Sequence, residues 1–201
     1  IAPWNVGVTG TVTSITREFI KNCPAPIIGV TGTKGKGTTA SLIRSILDAA
    51  GKKTWLVGNI GIGALDVLDQ IQSEDIVVYE LSSFQLWDCD VSPHVAVVLG
   101  IEPEHLDVHR DFDDYVRAKA NIGRHQSNKD TLVYNAENQW STYASTLSPG
   151  KKVTYKSANG VHVENEFIVE GDIQICPVSA LQIPGNHNVE NACAAIAATR
   201  E

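Results

Sequence analysis

Residues 31–40, TGTKGKGTTA, have the composition of a phosphate-binding loop. An apolar run precedes them and a helical pattern follows, a setting in which backbone N–H groups and the helix N-terminus attract phosphate oxygens. Lys36 would supply positive charge to the outer phosphates of a nucleotide. The alternative is a glycine-rich turn with an exposed lysine. We predict a nucleotide site built on Gly32, Thr33, Lys34, Gly35, Lys36, Gly37, Thr38 and Thr39.

One position in this loop departs from the usual pattern. Phosphate loops usually end Gly-Lys-Ser/Thr, and the hydroxyl after the lysine holds Mg²⁺. Here Gly37 follows Lys36, so that hydroxyl is missing. Thr38 or Thr39 could supply one if the first helical turn shifts slightly. The sequence therefore leaves open how a metal ion is held beside the nucleotide.

A second motif, ELSSFQL, begins at Glu80 directly after an apolar stretch. A carboxylate at the carboxyl end of a buried parallel strand faces the ligand crevice. Glu80 is therefore placed to hold a metal ion. Taken alone, it is equally compatible with a surface carboxylate that caps the next turn.

A third motif, EPEHLDVH, follows the next apolar stretch and places His105 and His109 four residues apart, with Asp107 between them. A zinc site is one interpretation, although no third ligand follows at a familiar spacing, and two loop histidines are more often ordinary polar residues. Further on, GNHNVENA places Asn188 and Asn191 on one helical face, where amides could pair with a purine edge. The alternative is N-capping by Asn188 and simple solvation of Asn191.

The segments that must position these residues alternate between strand and helix patterns. Nearly continuous apolar runs predict buried parallel strands in residues 24–32, KTWLVG, DIVVYELSS, HVAVVLGI and TLVYNAEN. An apolar face from Leu42 to Ala50 predicts the helix after the loop, which Gly51 would end. We predict an α/β fold with a mostly parallel, doubly wound sheet.

The pattern changes after Gly150. KVTYK, GVHVEN, EFIVEG and DIQICPV are short and alternating, and turn signals separate them. They predict a small antiparallel β annex to the sheet. The chain then becomes helical again, with Asn188 as a candidate N-cap.

Composition narrows the class of protein. The chain of 201 residues is 43% hydrophobic and 19% charged, and its net charge is −7. These values predict a globular protein that does not bind nucleic acid, and no apolar stretch predicts membrane insertion. Four scattered cysteines without a Cys-x-x-Cys pair favour free thiols in the cytoplasm over a zinc knuckle or disulfides. Because there is no methionine, we expect a piece of a longer protein.

Together the motifs resemble the Mur ligase family, the ATP-dependent amide ligases of peptidoglycan precursor synthesis. GVTGTKGKGTT, VGNIG, ELSSFQL, EPEHLDVH, YVRAKANI and GNHNVENACAA occur in the family's order. The resemblance implies that residues 24–201 form the central ATP-binding domain. It also implies that residues 1–23 are a linker or the end of an N-terminal domain, and that a C-terminal domain lies outside this chain.

ELSSFQL is most similar to the family members that add D-glutamate. The resemblance implies ATP and Mg²⁺ as cofactors, and a UDP-linked cell-wall precursor and D-glutamate as partners. ATP would phosphorylate the precursor's terminal carboxylate, and the amino group of D-glutamate would attack the resulting acyl phosphate. It implies no oligomeric state. A nucleotide-binding paralogue that no longer ligates, or a family ligase with another substrate, remains open.

The resemblance also assigns roles to individual residues. Lys36 would contact the β- and γ-phosphates, and Glu80 would bind the Mg²⁺ that touches ATP. His105 and a carbamylated Lys119 would hold a second Mg²⁺. Asn59 would lie near the reacting phosphate and carboxylate. The implied catalytic residues are thus Lys36, Asn59, His105 and Lys119.

On the substrate side the resemblance places Ser82 and Gln85, and beside adenine it places Asn188 and Asn191. Two residues depart from the family pattern. Gly37 stands where Ser or Thr is usual, and Lys34 stands where Asn is usual. The extra charge of Lys34 could partly offset the missing metal ligand, so nucleotide binding is still expected.

For Lys119 the residues and the resemblance favour different environments. DFDDYVRAKANIGRHQ predicts a helix that begins near Asp111, an acceptable N-cap. Phe112, Tyr115 and Ile122 mark its buried face, and Lys119 lies on the same stripe. A lysine there usually extends its ammonium group to water. The resemblance instead implies a buried, carbamylated side chain directed towards the metal site.

Overall fold

The computed structural model describes residues 13–59, 62–105 and 107–200. Within them, nine strands form one sheet in the order β2-β3-β1-β4-β5-β6-β7-β8-β9. The strands are β1 Ile27–Thr31, β2 Thr54–Gly58, β3 Ile76–Glu80, β4 Val95–Val98, β5 Thr131–Asn135, β6 Lys151–Tyr155, β7 Val161–Glu164, β8 Phe167–Glu170 and β9 Ile173–Pro177. The α-helices are α1 Ile15–Asn22, α2 Lys36–Ala49, α3 Ser83–Leu86, α4 Phe112–Arg124, α5 Gln139–Thr146 and α6 Asn186–Thr199.

Strand β1 lies at the centre of the parallel part of the sheet, and all five of its residues are buried. It pairs with β3 on one side and β4 on the other, so that Val30 lies beside Glu80 and Thr31 beside Val98. Strands β3 and β4 lie on opposite sides of β1, so the connection between them crosses over β1. Ligand crevices in open α/β sheets lie at such crossings, at the carboxyl ends of the strands. The predicted site motifs follow these three strands.

Helices cover both faces of the sheet. One buried cluster includes Phe19 of α1, Leu86 of α3 and Tyr115 of α4. The opposite cluster includes Ile43 of α2 and Ala194 of α6. This layering explains the continuous apolar runs of the central strands, and it confirms the predicted doubly wound α/β fold.

The predicted annex is only partly correct. Strands β7, β8 and β9 are antiparallel, as expected, but they continue the main sheet. KVTYK forms β6, which pairs in parallel with β5 and so belongs to the parallel part, contrary to our prediction. Its first residues, Lys151 and Lys152, are exposed. The alternating pattern therefore reflects incomplete coverage of β6, because side-chain alternation reports burial and not strand direction.

Capping residues were predicted at the N-termini of two helices, α4 and α6. Asp111 caps α4, and its side chain accepts from the Asp114 N–H at 2.7 Å, as predicted. The prediction for Asn188 is wrong, since α6 begins at Asn186 and its N-cap is Gly185, which has a φ of +100°. Asn188 lies in the first turn, and its amide donates to the Pro184 carbonyl. Because glycine tolerates a positive φ, Gly185 can occupy the N-cap position itself, three residues before Asn188.

The domain boundary at residue 23 stays a prediction. Residues 1–12 of the predicted linker lie outside the described residues. Helix α1 packs on the sheet through Phe19, whose ring meets Tyr79 edge-on at 5.2 Å. Among the described residues, none of the helices has the length and apolarity needed to cross a membrane.

Candidate nucleotide and metal site

The phosphate loop joins the central strand β1 to helix α2. Gly35 is the N-cap of α2 and has a φ of +85°, which strongly favours glycine. A Cβ at this position would overlap the Asn191 side chain. Helix α2 begins at Lys36, so the free N–H groups of its first turn lie at the loop. This arrangement attracts anionic oxygens such as those of a phosphate.

Two lysine side chains converge on one carbonyl of this loop. The Gly32 oxygen accepts from Lys36 Nζ at 3.2 Å and from Lys119 Nζ at 2.7 Å. Lys36 also donates to the Thr33 carbonyl at 3.0 Å. Lys119 is only 2% exposed, so its ammonium group does not reach water as a lysine on an apolar stripe usually does, and its burial agrees with what the resemblance implies. Burial, with the nearby charge of Lys36, lowers the pKa of Lys119 to about 7.

Glu80 ends β3 and is 5% exposed. Its Oε2 atom is buried without a hydrogen-bond partner among the described residues. Burial raises the pKa of the carboxyl group, and the charge of Lys36 acts in the opposite direction. Buried polar atoms are normally satisfied, and carboxylate oxygens are preferred ligands of Mg²⁺. The carboxylate therefore fits a hard cation held next to the phosphate loop.

The two histidines of EPEHLDVH have different surroundings. His105 has a φ of +55° and a side chain that is 47% exposed. His109 is buried, with Nε2 3.0 Å from the Ser83 hydroxyl. No group of three or more His, Cys, Asp or Glu suited to a metal ion occurs in the described part of the chain. A zinc centre made only of these residue types is therefore not formed there, and a metal site needs other ligands.

Ser82 and Gln85 satisfy each other in a capping box at the start of α3. The Gln85 N–H donates to the Ser82 hydroxyl at 3.3 Å, and the Gln85 side chain accepts from the Ser82 N–H at 2.9 Å. The box aligns the residues that follow Glu80 at the carboxyl edge of the sheet. Asn59 follows β2 and is exposed. The substrate roles of Ser82, Gln85 and Asn59 stay predictions.

Helix α6 is connected to the phosphate loop by a chain of amides. The Thr39 hydroxyl donates to Asn191 Oδ1 at 3.3 Å, and Asn191 Nδ2 donates to Asn188 Oδ1 at 3.2 Å. Thr39 is fully buried, whereas Thr38 is half-buried. Of the two hydroxyls considered as substitutes at Gly37, that of Thr39 is therefore already engaged.

A cleft of about 620 Å³ opens beside the loop. Lys34 is exposed on its wall. Lys156 also lines the cleft, and its Nζ atom lies 3.0 Å from Glu137 and 2.7 Å from Glu190. The cleft joins the phosphate loop to the start of α6, so one ligand could contact both. Its lining includes Thr33, Gly35, Gly100, Glu104, Asn138 and Asn191.

Sequence reasoning missed a hydrogen-bonded link across the site. The Thr33 hydroxyl accepts from the Glu102 N–H at 2.8 Å and lies 3.1 Å from the Tyr115 hydroxyl. It ties the phosphate loop to the segment that carries His105 and to helix α4. These partners lie 69 and 82 residues away from Thr33, a separation that no local pattern reports.

Comparisons with known proteins agree with this arrangement. The family described as the Mur ligase middle domain matches residues 30–199. UDP-N-acetylmuramoylalanine--D-glutamate ligase of Acetivibrio thermocellus is 43% identical over 195 residues, covering 93% of this chain and 42% of that protein. The ligase of the same name from Clostridium kluyveri is 40% identical over 195 residues, covering 94% and 42%. The chain thus spans less than half the length of these relatives.

Solved structures show the same fold at lower identity. UDP-N-acetylmuramate:L-alanyl-gamma-D-glutamyl-meso-diaminopimelate ligase of Neisseria meningitides has a TM-score of 0.72 and 19% identity, covering 92% of this chain and 64% of that one. MurF of Acinetobacter baumannii has a TM-score of 0.70 and 23% identity, covering 92% and 44%. At these identities the likeness concerns the fold alone.

Proposed function

The chain belongs to the Mur ligase family, and from this premise we propose that it is the ATP-binding part of a ligase that adds D-glutamate to UDP-N-acetylmuramoyl-L-alanine. The observation that carries the proposal is the buried Glu80 carboxylate at the phosphate loop, whose Oε2 atom has no hydrogen-bond partner in the described part of the chain. The names of the relatives that are about 40% identical support the choice of substrates. These substrates belong to peptidoglycan precursor synthesis, so we place the reaction in the cytoplasm.

The loop and its lysines would bind and orient the triphosphate. The N–H groups at the start of α2 would hold phosphate oxygens. Lys36, which now donates to two loop carbonyls, would exchange them for the β- and γ-phosphates. Lys34 would add a second positive charge at the exposed side of the loop. Positioning and charge neutralisation account for most of the catalysis of phosphoryl transfer.

The reaction would proceed in two displacements. A carboxylate oxygen of the UDP-linked substrate attacks the γ-phosphorus and ADP leaves. The amine of D-glutamate then attacks the acyl carbon, loses a proton, and releases phosphate as the amide forms. Asn59, Ser82 and Gln85 would orient the substrate at the carboxyl edge of the sheet, and Asn188 and Asn191 would lie beside adenine.

The metal ligands would come from Glu80 at the ATP side, and from His105 and a carbamylated Lys119 near the acyl phosphate. Bound Mg²⁺ would neutralise charge that develops on the transferred phosphoryl group. A pKa of about 7 leaves part of Lys119 as free amine at neutral pH. That amine can add to CO₂, giving a carbamate and a proton. An unmodified ammonium would repel the metal, whereas a carbamate supplies two anionic oxygens.

Gly37 favours a second candidate, a nucleotide-binding module that does not ligate. Without a hydroxyl at this position, metal affinity beside the γ-phosphate would be lower. A third candidate is a ligase of the same family that uses a different precursor or amino acid.

One assay separates the three candidates. Phosphate release by the full-length gene product is measured with ATP, UDP-N-acetylmuramoyl-L-alanine and D-glutamate, leaving out one component at a time. Release that needs all three supports the proposal, and L-glutamate is the matched control. ATP binding without release would favour the non-ligating module. Release only with another amino acid or with another UDP-linked precursor would favour a different substrate.

A further inference from the structure

Two segments of the site contact the buried side chain of His109, which itself lies in the segment between β4 and α4. Its Nε2 atom lies 3.0 Å from the hydroxyl of Ser83, the first residue of α3 after Glu80. Its Nδ1 atom lies 3.5 Å from Asp114 Oδ2, in the first turn of the helix that carries Lys119, a close approach that is not a hydrogen bond. The imidazole is 0% exposed, so both contacts are shielded from water. His109 therefore connects the β3–α3 segment to α4.

Aromatic rings hold the imidazole in one orientation. Phe84 stacks on it at 5.4 Å with an interplanar angle of 16°, and Trp87 lies against it at 4.3 Å. Tyr115 meets it edge-on at 5.2 Å. Close packing of this kind restricts the movement of the ring. The two ring nitrogens thus act at fixed positions.

The backbone links this anchor to His105. The His105 carbonyl accepts from the N–H groups of Val108 and His109, at 3.1 and 3.0 Å. His105 itself has a φ of +55°. Phe84 also packs against the His105 ring at 5.3 Å. The position of the His109 ring therefore constrains the position of His105.

The contacts resemble a Ser-His-Asp relay, but the serine cannot serve as a nucleophile. Ser83 is 2% exposed, so its hydroxyl is not presented to a substrate. Asp114 is also committed, because its Oδ1 atom accepts from Trp87 Nε1 at 3.3 Å and from Arg110 at 3.2 Å. Ser83, His109 and Asp114 therefore hold the β3–α3 segment, the segment before α4 and α4 itself together. These elements carry the proposed metal ligands.

We propose that His109 is a positioning residue for the metal centre, fixing the segments that carry Glu80, His105 and Lys119 relative to one another. The inference rests on the proposed function, because it concerns the metal that this function uses. Partners beyond the ligands themselves often control metal affinity, since they orient the ligating groups.

The test is direct metal binding, measured as Mn²⁺ affinity by electron paramagnetic resonance with a non-hydrolysable ATP analogue and bicarbonate. His109→Phe keeps the ring packing and removes both nitrogens, and Ser83→Ala removes one partner. We expect both to weaken Mn²⁺ binding, His109→Phe about tenfold or more, with unchanged affinity for the metal-free analogue. His109→Gln, which returns an amide near Ser83, should bind Mn²⁺ better than His109→Phe. His125→Phe, at the exposed end of α4, is the matched control and should bind as the wild type does.

A purely structural His109 would give a different result. His109→Phe and Ser83→Ala would then lower the melting temperature while Mn²⁺ affinity stayed at the wild-type value, and that result would overturn the inference. Equal Mn²⁺ binding by His109→Gln and His109→Phe would do the same. If His109→Phe does not fold, Ser83→Ala decides the question. Failure of the wild-type protein to bind Mn²⁺ would instead remove the proposed function, and the inference with it.

Discussion

Asn191 of α6 lies directly against Gly35 of the phosphate loop. Its Oδ1 atom occupies the space that a Cβ at Gly35 would need, and the same atom accepts from the Thr39 hydroxyl at 3.3 Å. Thr39 and Asn191 are 152 residues apart in the chain. A helix near the end of this chain therefore sets the shape of the nucleotide loop near its beginning.

This contact predicts an unequal pair of glycine substitutions. Gly35 and Gly51 have similar φ values, +85° and +76°, but a Cβ at Gly51 meets no atom of the described residues within 4 Å. Gly51→Ala should cost about 1 kcal/mol of unfolding free energy from the left-handed conformation alone. Gly35→Ala should cost about 1–3 kcal/mol more because of the overlap, and it should weaken ATP binding. Urea unfolding and calorimetric titration measure the two effects.

The same overlap predicts coupling between the two residues. In the double variant Gly35→Ala with Asn191→Ala, the shortened side chain makes room for the new methyl group. The double variant should therefore lose less unfolding free energy than the two single variants lose together. Strict additivity would show that the loop distorts for a reason other than contact with Asn191.

A hydroxyl at Gly37 should strengthen metal-dependent nucleotide binding. Gly37 is the second residue of α2, where the usual phosphate loop carries the Mg²⁺ ligand. Gly37→Ser should raise ATP affinity in the presence of Mg²⁺ by about 1–3 kcal/mol, as for a hydrogen bond to a charged group. Gly37→Ala is the control, since it changes helix propensity without adding a hydroxyl. Equal affinities for the Ser and Ala variants in calorimetry would contradict the prediction.

The pH dependence of stability should report the buried amine of Lys119. Its pKa falls from 10.5 to about 7 on folding, so between these values the unfolded chain binds more protons. Stability should therefore rise with pH from about 7 towards 10.5, at up to about 1.4 kcal/mol per pH unit. Below pH 7 the Lys119 amine is protonated in both the folded and the unfolded chain. Its contribution to stability is therefore constant there and at its most destabilising.

Lys119→Met should remove that rise and stabilise the protein at pH 7 and below, when unfolding is followed without Mg²⁺ and CO₂. Lys52→Met is the control, because Lys52 is exposed. If Lys52→Met flattened the profile equally, burial of Lys119 would not be its cause.

Short carboxylates should partly replace the side chain of Lys119 in catalysis. In the full-length protein, Lys119→Ala should abolish ligation because a metal ligand is lost. Acetate should restore a measurable rate, since its two oxygens can occupy the place of the carbamate. The control Lys129→Ala changes an exposed lysine. It should ligate at the wild-type rate, and acetate should not alter that rate. Full activity of Lys119→Ala without acetate would end the carbamate proposal.

The sequence by itself determined the features that depend on near neighbours in the chain. The phosphate loop, the N-cap at Asp111 and the buried β1 were all predicted from short stretches. Each is a local effect, in which glycine freedom, a capping side chain or an apolar run acts within a few residues. The candidate ligand Glu80 was also found locally, because it ends an apolar strand.

The tertiary structure alone decided which distant groups meet. It placed β6 in parallel beside β5, brought Asn191 to Gly35, and buried Lys119 against the Gly32 carbonyl. Sequence patterns report whether a residue is buried but not which residue buries it. That choice follows from the strand order and the packing of helices on the two faces, so the surroundings of Lys119 and His109 could be known only once the sheet had been assembled.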